Sequence, residues 1–262
     1  MTDQQSEALV RLALEGEVGI ITIAREAKRN AMNRAARNGL RTALDDARGR
    51  CKVIILTGSG GSFCSGIDLK ERVEDQANGR DTAVQEWIDV NIAIRNHPAI
   101  VIAAVNGLAL GGGTTLINVS DLAIAADTVQ IGMPELGFAT YPGLAGPSTQ
   151  LSLGRKRAAW MILTTERIDG ATAEAWGLVN RCVAGGRLLD EARAIADRIV
   201  QFDAAALTGC KQALDRIPAS ITDWQQAFSY GELTNAWIRS KTTAASEGLR
   251  RFGAGQKNVG QG

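Results

Sequence analysis

The sequence is poor in the residues that nucleophilic triads and metal sites require. Its 262 residues include a single histidine, four cysteines and two tyrosines. His97 stands directly before a proline at the predicted end of a helix, so we expect a local structural role for it, and serine–histidine catalysis is not expected. The cysteines show no C-x-x-C or metal-ligand spacing, so no metal site is predicted.

An excess of charge and long apolar runs are also lacking. The chain has 29 Lys and Arg residues against 28 Asp and Glu residues, a balance that gives no electrostatic reason to bind nucleic acid or a membrane. No segment has the length and hydropathy of a membrane span. The first residues, M-T-D-Q-Q-S-E-A-L-V, lack the charged region of a signal peptide. We therefore expect a cytoplasmic protein with neither nucleic-acid nor membrane partners.

What the sequence does have is a large share of apolar residues, 45%, which is enough to bury a sizeable core. Alternation around a Glu-Gly-Glu turn predicts a β-hairpin over 9–24, and helical spacing of apolar residues predicts helices over 33–48 and 81–96. The runs K-V-I-I-L-T-G and A-I-V-I-A-A-V are typical of buried strands. The predicted fold class is therefore α/β.

The C-terminal part of the sequence differs from the rest. From Pro142 onward the pattern is mostly helical, and strand patterns are lacking after residue 200. We expect a core domain over 1–200 and a C-terminal helical segment over 201–262, which ends in the flexible tail G-A-G-Q-K-N-V-G-Q-G.

Two glycine-rich loops follow the buried strands, G-S-G-G-S-F-C-S-G at 58–66 and G-G-G at 111–113. Neither has the spacing of a phosphate-binding P-loop or of a dinucleotide-binding loop. A helix that begins in such a loop presents free backbone N–H groups, which can stabilise an oxyanion. Alternatively, the glycines only permit close packing of strand and helix, and each loop taken alone leaves both interpretations open.

Five segments in order along the chain carry a more specific pattern. They are R-E-A-K-R-N-A-M-N at 25–33, L-T-G-S-G-G-S-F-C-S-G-I-D-L-K-E at 56–71, P-A-I-V-I-A-A-V-N-G-L-A-L-G-G-G at 98–113, M-P-E-L-G at 133–137 and T-T-E-R-I-D-G-A-T-A-E-A-W-G-L-V-N-R-C-V at 164–183. Together they resemble the crotonase superfamily, which includes the enoyl-CoA hydratases and isomerases. The resemblance covers roughly residues 9–255.

The resemblance implies a crotonase-like spiral of repeated β-β-α units, with a C-terminal helical part used in trimerisation. Members of the family commonly assemble as homotrimers or as hexamers that are dimers of trimers. The resemblance also implies an acyl-CoA thioester substrate. Coenzyme A would enter as part of that substrate, so no separate cofactor is expected.

In the family, two backbone N–H groups form an oxyanion hole, and their positions here are Ile67 and Gly112. Hydratases of the family carry one glutamate two residues after the glycine triplet and another in the P-E motif. The first position here is Thr115 and the second is Glu135, so one carboxylate is present and one is missing. A threonine hydroxyl is not a useful base near neutral pH, so an ordinary fast hydratase is not expected. One carboxylate suffices to move a proton between two carbons of a thioester by way of an enolate, as in the isomerases of the family.

The resemblance also assigns binding residues. Phe252 and Lys257 would reach the adenosine from a neighbouring subunit, although the family's basic segment after the phenylalanine is replaced here by G-A-G-Q. Asp68 has a second interpretation as a helix cap. The predicted contacts with coenzyme A are Arg25, Lys28, Arg29, Ala31, Ser65, Gly66, Asp68, Leu69, Phe252 and Lys257.

The acyl group would occupy a pocket that includes Trp87, Met133, Phe138 and Tyr141, if those side chains point inward. Tyr141 is a possible secondary catalytic residue, because a phenol could serve an aromatic substrate. The loop G-L-A-G-P-S-T-Q-L differs from the usual family pattern beside the P-E motif. The acyl group therefore cannot be inferred by analogy.

The leading hypothesis is an enzyme of the enoyl-CoA hydratase/isomerase type, a lyase or isomerase that uses one glutamate as acid and base. The first alternative is an activity like that of the hydroxycinnamoyl-CoA hydratase-lyases, which carry a small hydroxyl residue at the position of Thr115. The second is a non-catalytic acyl-CoA binder of the same fold. A binder needs neither the two oxyanion positions nor Glu135, and their retention argues against it.

Overall fold

A computed structural model describes residues 8–256 of the chain, and within them nine strands form two sheets. The strands are β1 Val10–Glu15, β2 Val18–Ile23, β3 Val53–Gly58, β4 Ser62–Cys64, β5 Ile100–Val105, β6 Leu108–Leu110, β7 Leu122–Ala126, β8 Ile131–Gly132 and β9 Arg181–Val183. The larger sheet has the order β1-β2-β3-β5-β7-β9, and the smaller sheet has the order β4-β6-β8.

The predicted hairpin is confirmed, since β1 and β2 pair in antiparallel fashion around Gly16 and Glu17. The other neighbouring strands of the larger sheet are parallel. Every residue of β3 is buried, as expected of a parallel strand that is covered on both faces.

The helices of the described residues lie around these sheets. They are α1 Arg34–Ala47, α2 Leu69–Ala77, α3 Ala83–Arg95, α4 Gly112–Val119, α5 Ala145–Thr164, α6 Gly170–Trp176, α7 Leu188–Ile199, α8 Ala204–Ser220, α9 Trp224–Lys241 and α10 Ala244–Gly253. The predicted helix over 33–48 is confirmed, and Asn33 caps it by accepting a hydrogen bond of 3.0 Å from the backbone N–H of Ala36.

The chain repeats one unit of strand, strand and helix. It passes from β3 to β4 and α2, and then from β5 to β6 and α4. The strands of the smaller sheet pair in parallel, with Cys64 opposite Ala109 and Leu110 opposite Gly132. The expected β-β-α spiral is thus confirmed, and the carboxyl ends of β4, β6 and β8 lie side by side.

Some boundaries differ from expectation. Helix α4 begins at Gly112, two residues before the expected start near Thr114. Strand β9 lies in a region that was expected to be helical. It was not predicted because three residues are too few to show the period of a strand. Helix α10 follows α9 within the segment expected to be helical, and the predicted tail begins at its last residue. Residues 257–262 of that tail lie outside the described residues.

Buried Lys211 attaches the C-terminal helices to the core. Its Nζ donates hydrogen bonds to Oδ2 of Asp121 at 2.7 Å and to the carbonyls of Ala99 at 3.1 Å and Ile94 at 3.3 Å. Burial lowers the pKa of Lys211, and the Asp121 carboxylate opposes that effect. Helix α9 packs on α8. The division of the chain near residue 200 stays a prediction.

The local structural role predicted for His97 is confirmed. The ring is buried; its Nε2 lies 3.0 Å from the carbonyl oxygen of Leu44, and its Nδ1 accepts a hydrogen bond of 3.1 Å from the backbone N–H of Ala99. Burial lowers the pKa of His97 to about 4. None of the helices in residues 8–256 combines the length and hydropathy that crossing a bilayer requires.

Candidate active site

At each position of the glycine triplet, a larger residue would contact a neighbouring group too closely. Gly111 has φ +53°, and a Cβ atom there would lie 2.7 Å from Oε1 of Glu135. A Cβ atom at Gly112 would lie 2.7 Å from Nε1 of Trp87, and one at Gly113 would lie 2.0 Å from the carbonyl oxygen of Cys64. A side chain at any of the three positions would displace its neighbour, so the glycines allow three elements to meet at the start of α4.

The two glycine loops meet at this point. Gly66 has φ +89°, and a Cβ atom on it would lie 3.1 Å from the backbone nitrogen of Gly112 and 2.9 Å from the carbonyl oxygen of Leu110. Gly112 is the first residue of α4, and the first N–H groups of a helix have no partner within it. The positive end of the helix dipole therefore faces the junction of the two loops.

Pairing with Met32 orients the backbone around Ile67. The N–H of Met32 donates to the carbonyl of Gly66 at 2.8 Å, and the N–H of Asp68 donates to the carbonyl of Met32 at 3.3 Å. These bonds form a parallel bridge between Met32 and Ile67. In such a bridge the enclosed residue directs its own N–H to the opposite side, so the N–H of Ile67 points away from Met32.

Glu135 lies in a 3₁₀ turn, Glu135–Phe138, shortly after β8. The N–H of Gly111 donates to the carbonyl of Gly132 at 3.0 Å, which holds the end of β8 against the glycine triplet. Oε2 of Glu135 is buried and has no hydrogen-bond partner within residues 8–256. Burial raises the pKa of Glu135 above its ordinary value, and a hydrogen bond with its own backbone only partly offsets this.

Thr115 occupies the first turn of α4 and is buried. Its Oγ1 lies 3.4 Å from the carbonyl oxygen of Gly111, a long hydrogen bond within the same turn. The described site therefore has a hydroxyl group where hydratases of the resembled family carry a second carboxylate.

The residues predicted for the acyl pocket divide into two pairs. Trp87 and Met133 are buried, and Nε1 of Trp87 has no hydrogen-bond partner in the described part of the chain. Phe138 is 67% exposed and Tyr141 is 55% exposed. A Cβ atom at Gly146 would lie 2.7 Å from the hydroxyl of Tyr141, so that hydroxyl lies against the beginning of α5. Trp87 and Met133 are thus the pair held inside the fold.

Arg25 and Asp68, two of the residues predicted to bind coenzyme A, bind each other. Nη1 of Arg25 donates to Oδ2 of Asp68 at 2.5 Å and to the carbonyl of Ala31 at 2.9 Å. Oδ1 of Asp68 accepts from the N–H groups of Lys70 and Glu71, so its interpretation as a helix cap is confirmed. Burial alone would raise the pKa of Asp68, but the hydrogen bond and charge of Arg25 and the backbone donors lower it.

Lys28, Arg29, Ser65 and Leu69, four more of the predicted contacts with coenzyme A, are termed the rim residues. Lys28, Arg29 and Leu69 are exposed, and Oγ of Ser65 lies 3.5 Å from the carbonyl oxygen of Lys28. The side chain of Phe252 and all of Lys257 lie outside what the structure describes. Their assignment to the adenosine stays a prediction.

Two polar residues that shape the site were not predicted from the sequence. Asn30 has φ +55°, and its Nδ2 donates to the carbonyls of Ser59 at 2.9 Å and Ser62 at 2.7 Å. Arg37 is fully buried, and its Nη1 donates to the carbonyl of Met32 at 2.7 Å. Arg37 stands beside the apolar stripe of α1, and a charge at the edge of such a stripe was the available signal.

No group of three His, Cys, Asp or Glu side chains within residues 8–256 is arranged to hold a metal ion. The spiral of β-β-α units, with its glycine loops and a partly buried glutamate beside them, defines a crotonase-type enzyme. The chain belongs to the enoyl-CoA hydratase/isomerase family, whose model matches residues 14–257.

Known proteins agree with that assignment. The chain is 40% identical over 204 residues to "Probable enoyl-CoA hydratase echA8" of Mycobacterium bovis, covering 76% of this chain and 78% of that protein. It is 36% identical over 206 residues to a "Probable enoyl-CoA hydratase" of Rhizobium meliloti, with 77% and 79% covered. The crystal structure of an enoyl-CoA hydratase from Bacillus anthracis matches with a TM-score of 0.86 at 30% identity, covering 94% of this chain and 96% of that one.

Proposed function

We propose that this enzyme binds an acyl-CoA thioester, stabilises its enolate with the N–H groups of Ile67 and Gly112, and moves protons with Glu135 alone. The observation that carries the proposal is the contact between the Glu135 carboxylate and the glycine triplet. A Cβ atom at Gly111 would lie 2.7 Å from Oε1 of Glu135, so the carboxylate lies next to Gly111, the residue that directly precedes α4. The proposed chemistry needs no cofactor besides the coenzyme A that the substrate carries.

The environment of Glu135 supports a role as acid and base. Its Oε2 is buried and, within residues 8–256, has no partner, and leaving such an oxygen unpaired costs about 1–3 kcal/mol. Burial raises its pKa, which brings the carboxylate closer to the basicity that favours proton transfer near neutral pH. A group of this kind can take a proton from the α-carbon of a 3-enoyl thioester, which leaves an enolate, and return that proton to the γ-carbon of the enolate.

Thr115 bears on the choice between isomerisation and hydration. Addition of water is helped by two groups that share the protons of the water molecule, and here a hydroxyl stands in place of the first carboxylate. We therefore propose that proton transfer between carbons, as in the conversion of a 3-enoyl to a 2-enoyl thioester, is the better supported reaction.

A hydratase-lyase activity on a hydroxycinnamoyl thioester is the second candidate. The observation that favours it is the buried hydroxyl of Thr115 itself, since a small hydroxyl residue at that position is the feature the hydratase-lyases share. Hydration remains a candidate as well, because the proteins that the chain resembles are named as hydratases.

Mass spectrometry of CoA thioesters incubated with the purified protein in heavy water tests the proposal. Straight-chain 2-enoyl, 3-enoyl and 4-hydroxycinnamoyl thioesters are compared, with Glu135→Gln as the control. Deuterium at the α- or γ-carbon without added water supports isomerisation, addition of water supports hydration, and loss of a two-carbon fragment supports the lyase. Activity of Glu135→Gln equal to that of the wild type would contradict the role of Glu135. Binding of coenzyme A without any turnover would favour the non-catalytic binder.

We also propose that the exposed basic side chains of Lys28 and Arg29 contact the phosphates of coenzyme A, because they are rim residues beside Ser65. The assembly as a trimer or hexamer is likewise a proposal. Its support is the set of large apolar side chains exposed on α9, namely Trp224, Phe228, Leu233 and Trp237. Light scattering of the purified protein would test it. The expected cytoplasmic location stays a prediction.

A further inference from the structure

A partly buried cluster of charges, centred on the fully buried Arg37, connects α1, α2 and α3 and contacts the carbonyl of Met32. Nε of Arg37 donates to Oε2 of Glu86 at 2.9 Å, and Nη2 of Arg37 lies 3.2 Å from Oε2 of Glu71. Nη1 donates to the carbonyl of Met32 at 2.7 Å. Arg37 is fully buried, and its planar guanidinium satisfies all three partners at fixed positions.

Several hydrogen bonds fix the carboxylates of Glu86 and Glu71 in this cluster. Burial alone would raise the pKa of Glu86, but hydrogen bonds from Thr82, Arg37 and Arg34 and the charge of Arg37 lower it to about 2. Both oxygens of Glu71 accept from the backbone N–H of Arg34, at 2.8 and 3.0 Å. The guanidinium of Arg37 is therefore anchored to two helices at once.

Met32 links this cluster to the oxyanion hole. Its carbonyl accepts two hydrogen bonds, one from Arg37 at 2.7 Å and a longer one from the N–H of Asp68 at 3.3 Å. The N–H of Met32 donates to the carbonyl of Gly66, so Met32 forms hydrogen bonds with the residues on both sides of Ile67. A shift of the Met32 peptide would shift the Ile67 N–H with it.

We propose that Arg37 is a positioning residue that sets the Ile67 N–H, through the Met32 carbonyl, at the distance where it polarises a thioester. The inference rests on the proposed function of Ile67 as an oxyanion donor. Arg37 does not touch the substrate itself. Displacement of a catalytic group by about 1 Å can cost roughly 10²-fold in rate, so a rigid ionic support beneath a loop donor has a measurable effect.

Arg37→Lys is the main variant, and Arg34→Lys is its matched control. Both substitutions retain the charge that the carboxylates need. Arg34 belongs to the same cluster, since its Nε donates to Oε1 of Glu86 at 3.1 Å and its Nη2 to Oδ2 of Asp75 at 2.9 Å. Only Arg37 of this pair donates to the carbonyl of Met32. Glu86→Gln is a second variant, which loosens the anchor of Arg37 and leaves Arg37 in place.

The measurement is the ultraviolet absorption of bound cinnamoyl-CoA, together with kcat on the thioester that the wild type turns over. A well-placed oxyanion hole polarises the conjugated thioester and shifts its absorption to longer wavelength. We expect Arg37→Lys to reduce that shift and to lower kcat by about 10- to 100-fold, somewhat less than the roughly 10²–10³-fold expected for loss of a donor. Binding of free coenzyme A should change by no more than about twofold, because the rim residues are retained.

Each outcome decides the question. A normal absorption shift and kcat in folded Arg37→Lys, or equal losses in Arg34→Lys, would overturn the positioning role while leaving the proposed function intact. If Arg37→Lys does not fold, Glu86→Gln decides: a smaller loss of shift and kcat supports the proposal, and wild-type values overturn it. A wild-type protein that neither shifts nor transforms any thioester would overturn the proposed function and this inference with it.

Discussion

Glu135 combines two properties that a structural carboxylate does not need. It is partly buried beside the start of α4, and its Oε2 has no hydrogen-bond partner in residues 8–256. A carboxylate that only capped or bridged secondary structure would use both oxygens, as Glu71 does with the N–H of Arg34. An unpaired oxygen in a buried place is costly to maintain, which favours a role in chemistry.

The raised pKa of Glu135 predicts the pH dependence of its activity. Removal of a substrate proton requires the ionised carboxylate, so kcat/KM should fall as the pH drops through the pKa of Glu135 in the free enzyme. Because burial raises that pKa, we expect the midpoint of this fall to lie above 4.5, the ordinary value for glutamate. A pH–rate profile of the reaction found by mass spectrometry checks this. A midpoint at or below the ordinary value would contradict Glu135 as the base.

Gly111→Ala should impair catalysis through Glu135. The new Cβ would lie 2.7 Å from Oε1 at a residue with φ +53°, so the carboxylate must move. We expect kcat to fall by about 10²-fold, the cost of a small misplacement of a catalytic group. Gly137→Ala is the control, because a Cβ there would meet none of the described atoms within 4 Å. Equal effects of the two substitutions on kcat would contradict the argument.

Thr115→Glu should increase hydration of a 2-enoyl thioester if this position faces the attacking water. The new carboxylate would supply the second group that helps to share the protons of the water, and a positioned general base contributes about 10²–10⁴-fold. Loss of the absorption of the conjugated thioester measures hydration. Thr115→Val, which removes the hydroxyl without adding a base, should give no gain. No gain in a folded Thr115→Glu protein would show that the position does not face the water.

At the scale of elements, the long helices and buried strands could be predicted, and the run V-Q-I-G at 129–132 also predicts the short strand β8. The short strands β4 and β6 could not be predicted. α1 has an apolar stripe, a capping Asn33 and several turns, each of which leaves a sequence signal. β4 and β6 have only three residues each, too few to show a period. Yet pairing of Leu110 with Gly132 is what brings the P-E turn to the glycine triplet.

The candidate site shows the same limit. Motif resemblance selected Ile67, Gly112 and Glu135, and each lies two or three residues after the end of a strand of the smaller sheet. It did not indicate the structural roles of Asn30 and Arg37. The role of a buried polar side chain depends on hydrogen-bond partners that are distant in sequence, such as Glu86 for Arg37. Nor could it show that Arg25 and Asp68 bind each other, since a charged pair separated by many residues leaves no local pattern.

The attachment of α8 to the core depends on Lys211, and its removal should be costly. Lys211→Met would leave the carboxylate of Asp121, whose side chain is only 14% exposed, without its cation. Breaking such a pair costs about 3–5 kcal/mol in the free energy of unfolding, and denaturant unfolding measures this. Lys241→Met, at an exposed residue of α9, should change stability by less than about 0.5 kcal/mol. Partial recovery in Lys211→Met with Asp121→Asn is expected, and equal stability of the two single variants would contradict the role.

At the scale of the whole molecule, the sum of charges conceals strong local fields. The formal net charge is +1, which gives the protein no dominant sign. Within the fold, however, the carboxylate of Glu86 has a pKa of about 2 and the ring of His97 a pKa of about 4. Groups whose pKa differs between the folded and unfolded chain make stability depend on pH. His97 and Glu86 therefore change the free energy of unfolding in two different pH ranges.

His97 dominates the upper range. The unfolded chain binds a proton at its ordinary pKa of 6.5, whereas the folded protein binds it only near pH 4. Stability should therefore be complete above pH 6.5 and decrease by about 3 kcal/mol as the pH falls to 4. Glu86 acts lower, because its stabilising charge is lost only as the pH falls below 4.5, its ordinary value, toward 2.

The free energy of unfolding at several pH values separates these contributions. Glu135 acts in the opposite direction, since its raised pKa makes its burial less costly as the pH falls, so the comparison is made in the Glu135→Gln background. There we expect His97→Asn to be less stable at pH 7, because the ring's hydrogen bonds with Leu44 and Ala99 are altered, yet to lose little further stability between pH 6.5 and 4.5. His97 is the only histidine in the chain. If the free energy of unfolding changed with pH between 6.5 and 4.5 as steeply in His97→Asn as in the Glu135→Gln protein that retains His97, groups other than histidine would control the loss of stability in acid.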